Sequence, residues 1–242
     1  MKTLIILSFL TLSSAFANEL ELIPLERAPA ALSEPRGTAN HGTLENGECL
    51  EAQGEGYMQL FRDVDHIWGT HEMITMLKET ASEMNQKFPN RGDRLQIEDI
   101  SAKNGGYIEH HGSHETGQDV DLGYFKNDGI EHDPRRTGSK YATPMVEGGR
   151  VSSNFDVERN WALVKTLHKH GNVQKIFMDT ALKNQLCSYA RSHNDYSSNI
   201  NVLRSIRFVE NHEDHMHVRL RCPPNARQCR NLPESPAGSG CP

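Results

Sequence analysis

Apolar residues recur along this chain with two different periods, and the switch between them sketches a fold. Over residues 70–88 the apolar positions are Met73, Met76, Leu77, Ala81 and Met84. Steps of three and four place them on one helix face, with Thr70 able to cap the first turn. A methionine stripe of this kind is core material. Residues 94–100 carry Leu95, Ile97 and Ile100, close enough to alternation for a strand. Asn104-Gly105-Gly106 is a turn. Residues 120–125 predict another strand, turned at Asp128-Gly129, and residues 129–151 are polar and glycine-rich, a long surface loop. Val157, Trp161, Val164 and Leu167 mark a helix face within residues 155–170. A strand over 173–178 precedes a helix through Tyr189, capped by Asp179 or Thr180. Residues 201–209 read as extended, 215–221 as a strand, and 224–242 as turns. Strands and helices mix without regular βαβ alternation, so the expected class is α+β.

Ahead of this pattern lies an address. Met1-Lys2 gives a positive start, residues 4–12 are apolar but for Ser8 and Thr11, and Ala15-Phe16-Ala17 has the form of a cleavage site. Together they predict a signal peptide over residues 1–17 and export of a chain beginning at Asn18. The signal has no lipid-acceptor cysteine, and no apolar run approaches about 18 residues. A product without a membrane anchor is therefore expected, periplasmic or fully secreted. Residues 18–47 are rich in Pro, Ala, Glu and Gly without a sustained period and read as an extended arm, leaving residues 48–242 as the folded domain.

Composition narrows the partners. With 242 residues, 36% of them hydrophobic, the chain can bury a core of ordinary size. Loss of Lys2 and of no acid takes the net charge from −6 to −7, which argues against nucleic acid as a partner. The five cysteines are Cys49, Cys187, Cys222, Cys229 and Cys241. In an oxidising compartment pairing is the default, and an odd count leaves one thiol over. Cys222 and Cys229 close a short loop around Pro223-Pro224, a bridge worth roughly 2–3 kcal/mol. No C-x2-C pair supports a zinc–cysteine site.

The chemistry concentrates in two stretches. HHGSHETGQDVDLGYF, from His110 to Phe125, gathers three histidines and three acids. His212-Glu213-Asp214-His215-Met216-His217 forms the second. On a strand, His215 and His217 share a face, with His212 just upstream, and Asp119 and Asp121 share a face in the same way. A histidine (His114), a carboxylate (Asp121) and a distant histidine give three N and O ligands with one open position. That is the form of a catalytic zinc site, in which the ion brings a bound water's pKa from 15.7 to about 7. Calcium would want more oxygens and no histidine. Taken separately each spacing is weak, and a solvated polar surface is the alternative; the conjunction in an exported chain favours the metal.

Ser113-His114-Glu115-Thr116-Gly117-Gln118-Asp119-Val120-Asp121 resembles the first signature of the penicillin-insensitive murein endopeptidases. His212-x-x-His215-x-His217-Val218-Arg219-Leu220-Arg221-Cys222-Pro223 resembles the second. The similarity runs from about Cys49 to Pro242, with 175–178 and 183–187 fitting between the signatures. It implies a small central antiparallel sheet with flanking helices and one Zn2+ on the sheet face. His114, Asp121 and His217 would be the metal ligands and His215 the catalytic histidine. His212 and His111 would serve in substrate binding or around the ligands, and Asp119 would orient a ligand histidine through its second nitrogen. Gly117 would permit the turn that returns Asp121 to His114. Glu213 and Asp214 are runner-up bases. Arg219 and Arg221 share the parity of the histidines and are expected in surface ion pairs.

The implied activity is hydrolysis of peptidoglycan stem-peptide crosslinks, at the D-alanyl–meso-diaminopimelyl bond, without an acyl-enzyme and so indifferent to β-lactams. The same site would serve a zinc D,D-carboxypeptidase or another stem-peptide hydrolase, and a non-catalytic zinc module would share the metal alone. The family also implies bridges Cys187–Cys241 and Cys222–Cys229. Relatives carry a longer C-terminal tail with a cysteine to partner the equivalent of Cys49; this chain ends at Pro242, so Cys49 is expected to be free or re-paired.

Overall fold

In the computed structural model, residues 32–60, 65–133 and 142–242 are described. The expected signal peptide and the first part of the expected arm lie outside the described residues. In chain order the strands are β1 (Glu34–Thr38), β2 (His41–Glu45), β3 (Glu48–Cys49), β4 (Gln53–Gly54), β5 (Tyr57–Gln59), β6 (Trp68–Gly69), β7 (Leu95–Ile97), β8 (Asp119–Gly123), β9 (Val146–Glu147), β10 (Arg150–Val151), β11 (Val173–Met178), β12 (Ile206–Phe208) and β13 (His215–Leu220). The helices are α1 (His71–Lys87), α2 (Val157–His170), α3 (Thr180–Ser192) and the short α4 (Ile200–Ser205). Side chains expected as caps do cap: Thr70 Oγ1 accepts from Met73 N, and Asp179 accepts from Ala181 N. Asp156 caps α2 through Arg159 N.

The class is α+β, but the sheet is larger than the small antiparallel one expected. Seven strands run in the order β12-β11-β13-β8-β7-β5-β4. The site-bearing centre, β11-β13-β8-β7, is antiparallel, whereas β12 pairs with β11, and β5 with β7, in parallel. The reason is topological. Helix α1 connects β5 to β7, and α3 with α4 connects β11 to β12; a helical crossover returns the chain in the same direction. Residues 201–209 also differ from expectation: the stretch opens as α4, with Leu203 buried, before β12.

Residues 34–45, read as part of an extended arm, form the β1–β2 hairpin. Within the two strands the inward apolar residues are only Pro35 and Leu44, so no alternation announces it. Backbone bonds hold it instead: Leu44 N to Asn104 O, Glu115 N to Ala39 O and Gly37 N to Gln228 O. The expected long loop 129–151 ends in the β9–β10 ribbon, with Met145 and Val146 buried; residues 134–141 within it lie outside the described residues.

The register of β8 against β13 decides what the sheet presents. His217 lies opposite Asp121, Arg219 opposite Asp119 and His215 opposite Gly123. On the other parity Val120, Leu122, Met216 and Val218 are fully buried in the core shared with the helices. A slip of one residue would turn these four outward, at roughly 1.5–3 kcal/mol each. Hydrophobic burial on one face thus fixes the polar constellation on the other. The bridges Cys187–Cys241 and Cys222–Cys229 staple the C-terminal segment, and Cys49 is a free, exposed thiol.

Candidate metal centre

Asp121 sits at the centre of the site. Its carboxylate meets His114 Nε2 at 3.4 Å and His111 Nε2 at 3.3 Å through Oδ2, and His217 Nδ1 at 3.1 Å through Oδ1. His114 Nε2 and His217 Nδ1 are themselves 3.1 Å apart. Donors 2.0–2.2 Å from a tetrahedral ion lie about 3.4 Å from one another, so the spacing suits one small divalent cation. Ligand atoms of His111, His114 and Asp121 all lie within 4.8 Å of one another. The fit has a second mark: buried Asp121 Oδ1 has no hydrogen-bond partner despite the imidazole beside it. Lone pairs converging without a proton between them are what a cation satisfies.

The rest of each ring is spoken for. His114 Nδ1 is 2.8 Å from Ile100 O, and His111 Nδ1 is 2.9 Å from Glu109 O. His215 Nδ1 is 2.7 Å from Asp214 Oδ1, and His212 Nδ1 is 2.8 Å from Glu210 O. In each case a protein acceptor takes the Nδ1 proton and turns Nε2 toward the cleft. His217 is reversed: Asp119 Oδ1 lies 3.1 Å from its Nε2, at ion-pair range though without hydrogen-bond alignment, so Nδ1 faces Asp121.

Local backbone makes the convergence. His110 and His114 adopt left-handed conformations, φ 69° and 71°, where side chains other than Gly cost energy and mark functional turns. Gly117 is required twice over. Its φ is +68°, and a Cβ there would stand 3.0 Å from both Gly69 Cα and Thr70 N.

Asp119 is the structural hub beneath the centre. It is wholly buried, accepts from His114 N at 3.0 Å, and holds Arg219 through Nε at 2.7 Å and a second nitrogen at 3.2 Å. Arg219 is therefore no surface ion pair: it is 5% exposed, because β13 parity points it under the site. Arg221, one turn of the pleat further, does bind Glu234 at the surface, as expected.

Burial opposes ionisation of Asp119, but His217 and Arg219 outweigh it and hold the carboxyl far below the usual range. Asp121 behaves alike, with burial overcome by His114 and His215. Burial alone would lower His215; Asp121 and the bond to Asp214 instead push it up to about 10. Glu98 is the opposite case. Burial, aided by the negative charge of Asp121 and Asp214, lifts it well above the carboxylate range despite the pull of His215, and its Oε1 has no hydrogen-bond partner.

His111, His114, Asp121, His212, His215 and His217 line a cleft of about 770 Å³. The structure brings together all seven residues singled out in the sequence. His114, Asp121 and His217 form the innermost set, with Asp119 below. His215 Nε2 stands at the edge, 3.7 Å from Asp121 Oδ1, and His212 packs on His215 at 4.9 Å between ring centroids. His111, expected at the periphery, is as near to Asp121 as His114 is. Sequence reasoning missed Asp99, which lies 3.4 Å from His111 Nε2 and 3.1 Å from His66 Nδ1, and Phe177, whose ring is 5.1 Å from that of His217. A lone Asp and a strand Phe carry no signal; only the register of β11 against β13, which sets Phe177 opposite His217, could have found the latter.

A buried histidine–carboxylate set on an open sheet face, with a further histidine at its rim, is a site that could hold a divalent cation, as metallopeptidase sites do. The family model for penicillin-insensitive murein endopeptidases matches residues 35–242, and the chain belongs to that family. It is similar to the penicillin-insensitive murein endopeptidase of Escherichia coli (strain K12), with 28% identity over 99% of this chain and 85% of the relative. The Haemophilus influenzae enzyme of the same name is 28% identical over 100% of this chain and 83% of its own length. A relative from Escherichia coli O157:H7 is 29% identical over 85% and 72% respectively.

Proposed function

We propose that this protein is an exported zinc endopeptidase that hydrolyses peptide crosslinks in peptidoglycan, at the D-alanyl–meso-diaminopimelyl bond, in the periplasm. The observation that carries the proposal is the convergence of His114 Nε2, His217 Nδ1 and Asp121 within 3.1–3.4 Å in a chain of this family. Two imidazoles and one carboxylate are the donor set zinc prefers. When bound, the ion supplies Lewis acidity and an acidified water. His114, Asp121 and His217 would hold it, and His111 Nε2 offers a fourth donor. His215, kept protonated by Asp121 and Asp214, would stabilise the oxyanion through Nε2, give that proton to the leaving amine and recover one from the attacking water. His212, against His215, and Phe177 shape the cleft beside it. No step calls for a serine or cysteine nucleophile, so β-lactams have nothing to acylate.

The test is mass analysis of crosslinked muropeptide dimers incubated with the purified protein, before and after chelation and zinc return. Conversion of dimers to monomers that stops with chelator and resumes with zinc is the expected result. Loss of only a terminal D-Ala would make the enzyme a carboxypeptidase. Intact dimers with stoichiometric zinc would remove the catalytic assignment, and labelling by a fluorescent penicillin would contradict it outright.

A further inference from the structure

His215 is held by more than its place on β13. Its Nδ1 lies 2.7 Å from Asp214 Oδ1, and both side chains are mostly buried, 18% and 19% exposed. Neighbours in a regular strand point to opposite faces. Asp214 can reach its neighbour because it lies in the bend before β13. That bend is anchored from three sides. Tyr124 Oη and Asp179 N both donate to His212 O, at 3.1 and 3.3 Å, and Met145 N donates to Glu213 O at 2.7 Å. Tyr124 follows β8, Asp179 follows β11 and Met145 precedes β9, so three separate elements set where the Asp214 carboxylate stands. Its other neighbours offer no competing cation: Asp214 forms no ion pair with Lys or Arg among the described residues. Asp121, opposite, lies 3.7 Å from Nε2.

We propose that Asp214 is a positioning residue: by holding Nδ1 of His215 it fixes the ring so that Nε2 faces the metal centre. The inference rests on the catalytic role proposed for His215. A rigid acceptor on one nitrogen is how proteins set the tautomer and aim of a working imidazole. Without it, rotation about the ring's bonds would offer Nδ1 and Nε2 alternately to the cleft, and the proton would be exchanged from the wrong place in part of the population. Glu213, whose backbone is fixed by Met145, makes no hydrogen bond or ion pair with the ring and carries no such role.

The experiment uses the zinc-loaded full chain as wild type, Asp214→Ala, Asp214→Asn, His215→Ala and the double variant Asp214→Ala/His215→Ala. Metal content, thermal stability, kcat and KM on a purified muropeptide dimer are measured for each, with the Nδ1 proton of His215 followed by NMR in a 15N-histidine sample. Asp214→Ala is expected to lower kcat roughly 10–100-fold with KM and zinc content held, as for other residues that orient a ligand or catalytic ring. Asp214→Asn keeps an acceptor oxygen and should recover most of the rate. The slowly exchanging downfield Nδ1 proton should persist in Asp214→Asn and vanish in Asp214→Ala, and the double variant should be no slower than His215→Ala. Wild-type kcat in Asp214→Ala, an equal loss in Ala and Asn, a change in KM alone, or additive losses in the double variant would each overturn the proposal. If His215→Ala itself is fully active, the catalytic reading of His215 has failed, and the NMR signal still reports whether Asp214 holds the ring.

Discussion

Replacing Asp119 with alanine removes a group that touches Arg219 and His217 on β13 and the His114 loop together. Three consequences can be sized. Arg219, 5% exposed, loses both of its carboxylate bonds and stays buried with its charge unpaired, which costs roughly 3–5 kcal/mol. His114 N loses its acceptor, roughly 1–3 kcal/mol if left unsatisfied. These share a partner and do not simply add, so a loss of about 4–6 kcal/mol is expected. For a chain of this size that lowers Tm by roughly 10–20 °C. His217 also loses the anion beside Nε2, so zinc affinity should fall about 10–100-fold. The double variant Asp119→Ala/Arg219→Met separates the two effects. Removing both charges should restore most of the stability and none of the metal affinity. Calorimetry with and without zinc and a competitive chelator titration read both quantities. An Asp119→Ala protein with wild-type Tm and zinc affinity would refute the account of Asp119 as hub, and a double variant that regains affinity would show that it acts only through Arg219.

Two further outcomes follow from groups away from the centre. Burial, helped by Arg221, depresses the His168 pKa to about 4. The unfolded side chain titrates near 6.5, so between these values the unfolded chain binds the extra proton. The stabilisation from a neutral His168 is complete above about 6.5 and fades as pH falls to 4, by at most roughly 3 kcal/mol. Urea unfolding across that range should show the slope in wild type and lose that part of it in His168→Gln; identical slopes would discount the shift. The second concerns the staples. Cys187–Cys241 closes a separation of 54 residues and Cys222–Cys229 one of 7. Chain-entropy arguments give about 4 and about 2 kcal/mol respectively. Paired Cys→Ser variants compared by denaturant midpoint should keep that order, and the reverse order would point to native-state packing rather than loop closure.

The fold was legible wherever period and burial coincide. Helices α1 and α3 bury one face each, and α2, β11 and β13 carry their buried apolar residues at helix or strand spacing, so the pattern is visible in the sequence. Stretches built on other terms were not. The β1–β2 hairpin relies on backbone bonds to distant loops. Helix α4, Ile-Asn-Val-Leu-Arg-Ser, has β-branched residues that favour a strand, and it is helical through the packing of Leu203 against the core. The parallel outer pairs of the sheet are matters of connection, which no local pattern records.

The site divides along the same line. Parity on β8 and β13 states which side chains share a face, so Asp119 with Asp121, and His215 with His217 and Arg219, were identifiable as two sets; the register between the strands sets them opposite each other. What parity cannot state is depth. Arg219 reads as a surface cation because arginine is usually exposed, yet the wholly buried Asp119 opposite it draws it under the sheet face. His111 reads as peripheral because it lies in a loop three residues before His114. Left-handed turns at His110 and His114 reverse the chain and bring its Nε2 within 3.3 Å of Asp121. Depth and ring orientation depend on acceptors that come from elsewhere in the chain: Ile100 O for His114, Glu109 O for His111 and Asp214 for His215. Residue types and spacing therefore announce a candidate metal centre, whereas the assignment of each nitrogen, on which the chemistry turns, is a property of the assembled sheet.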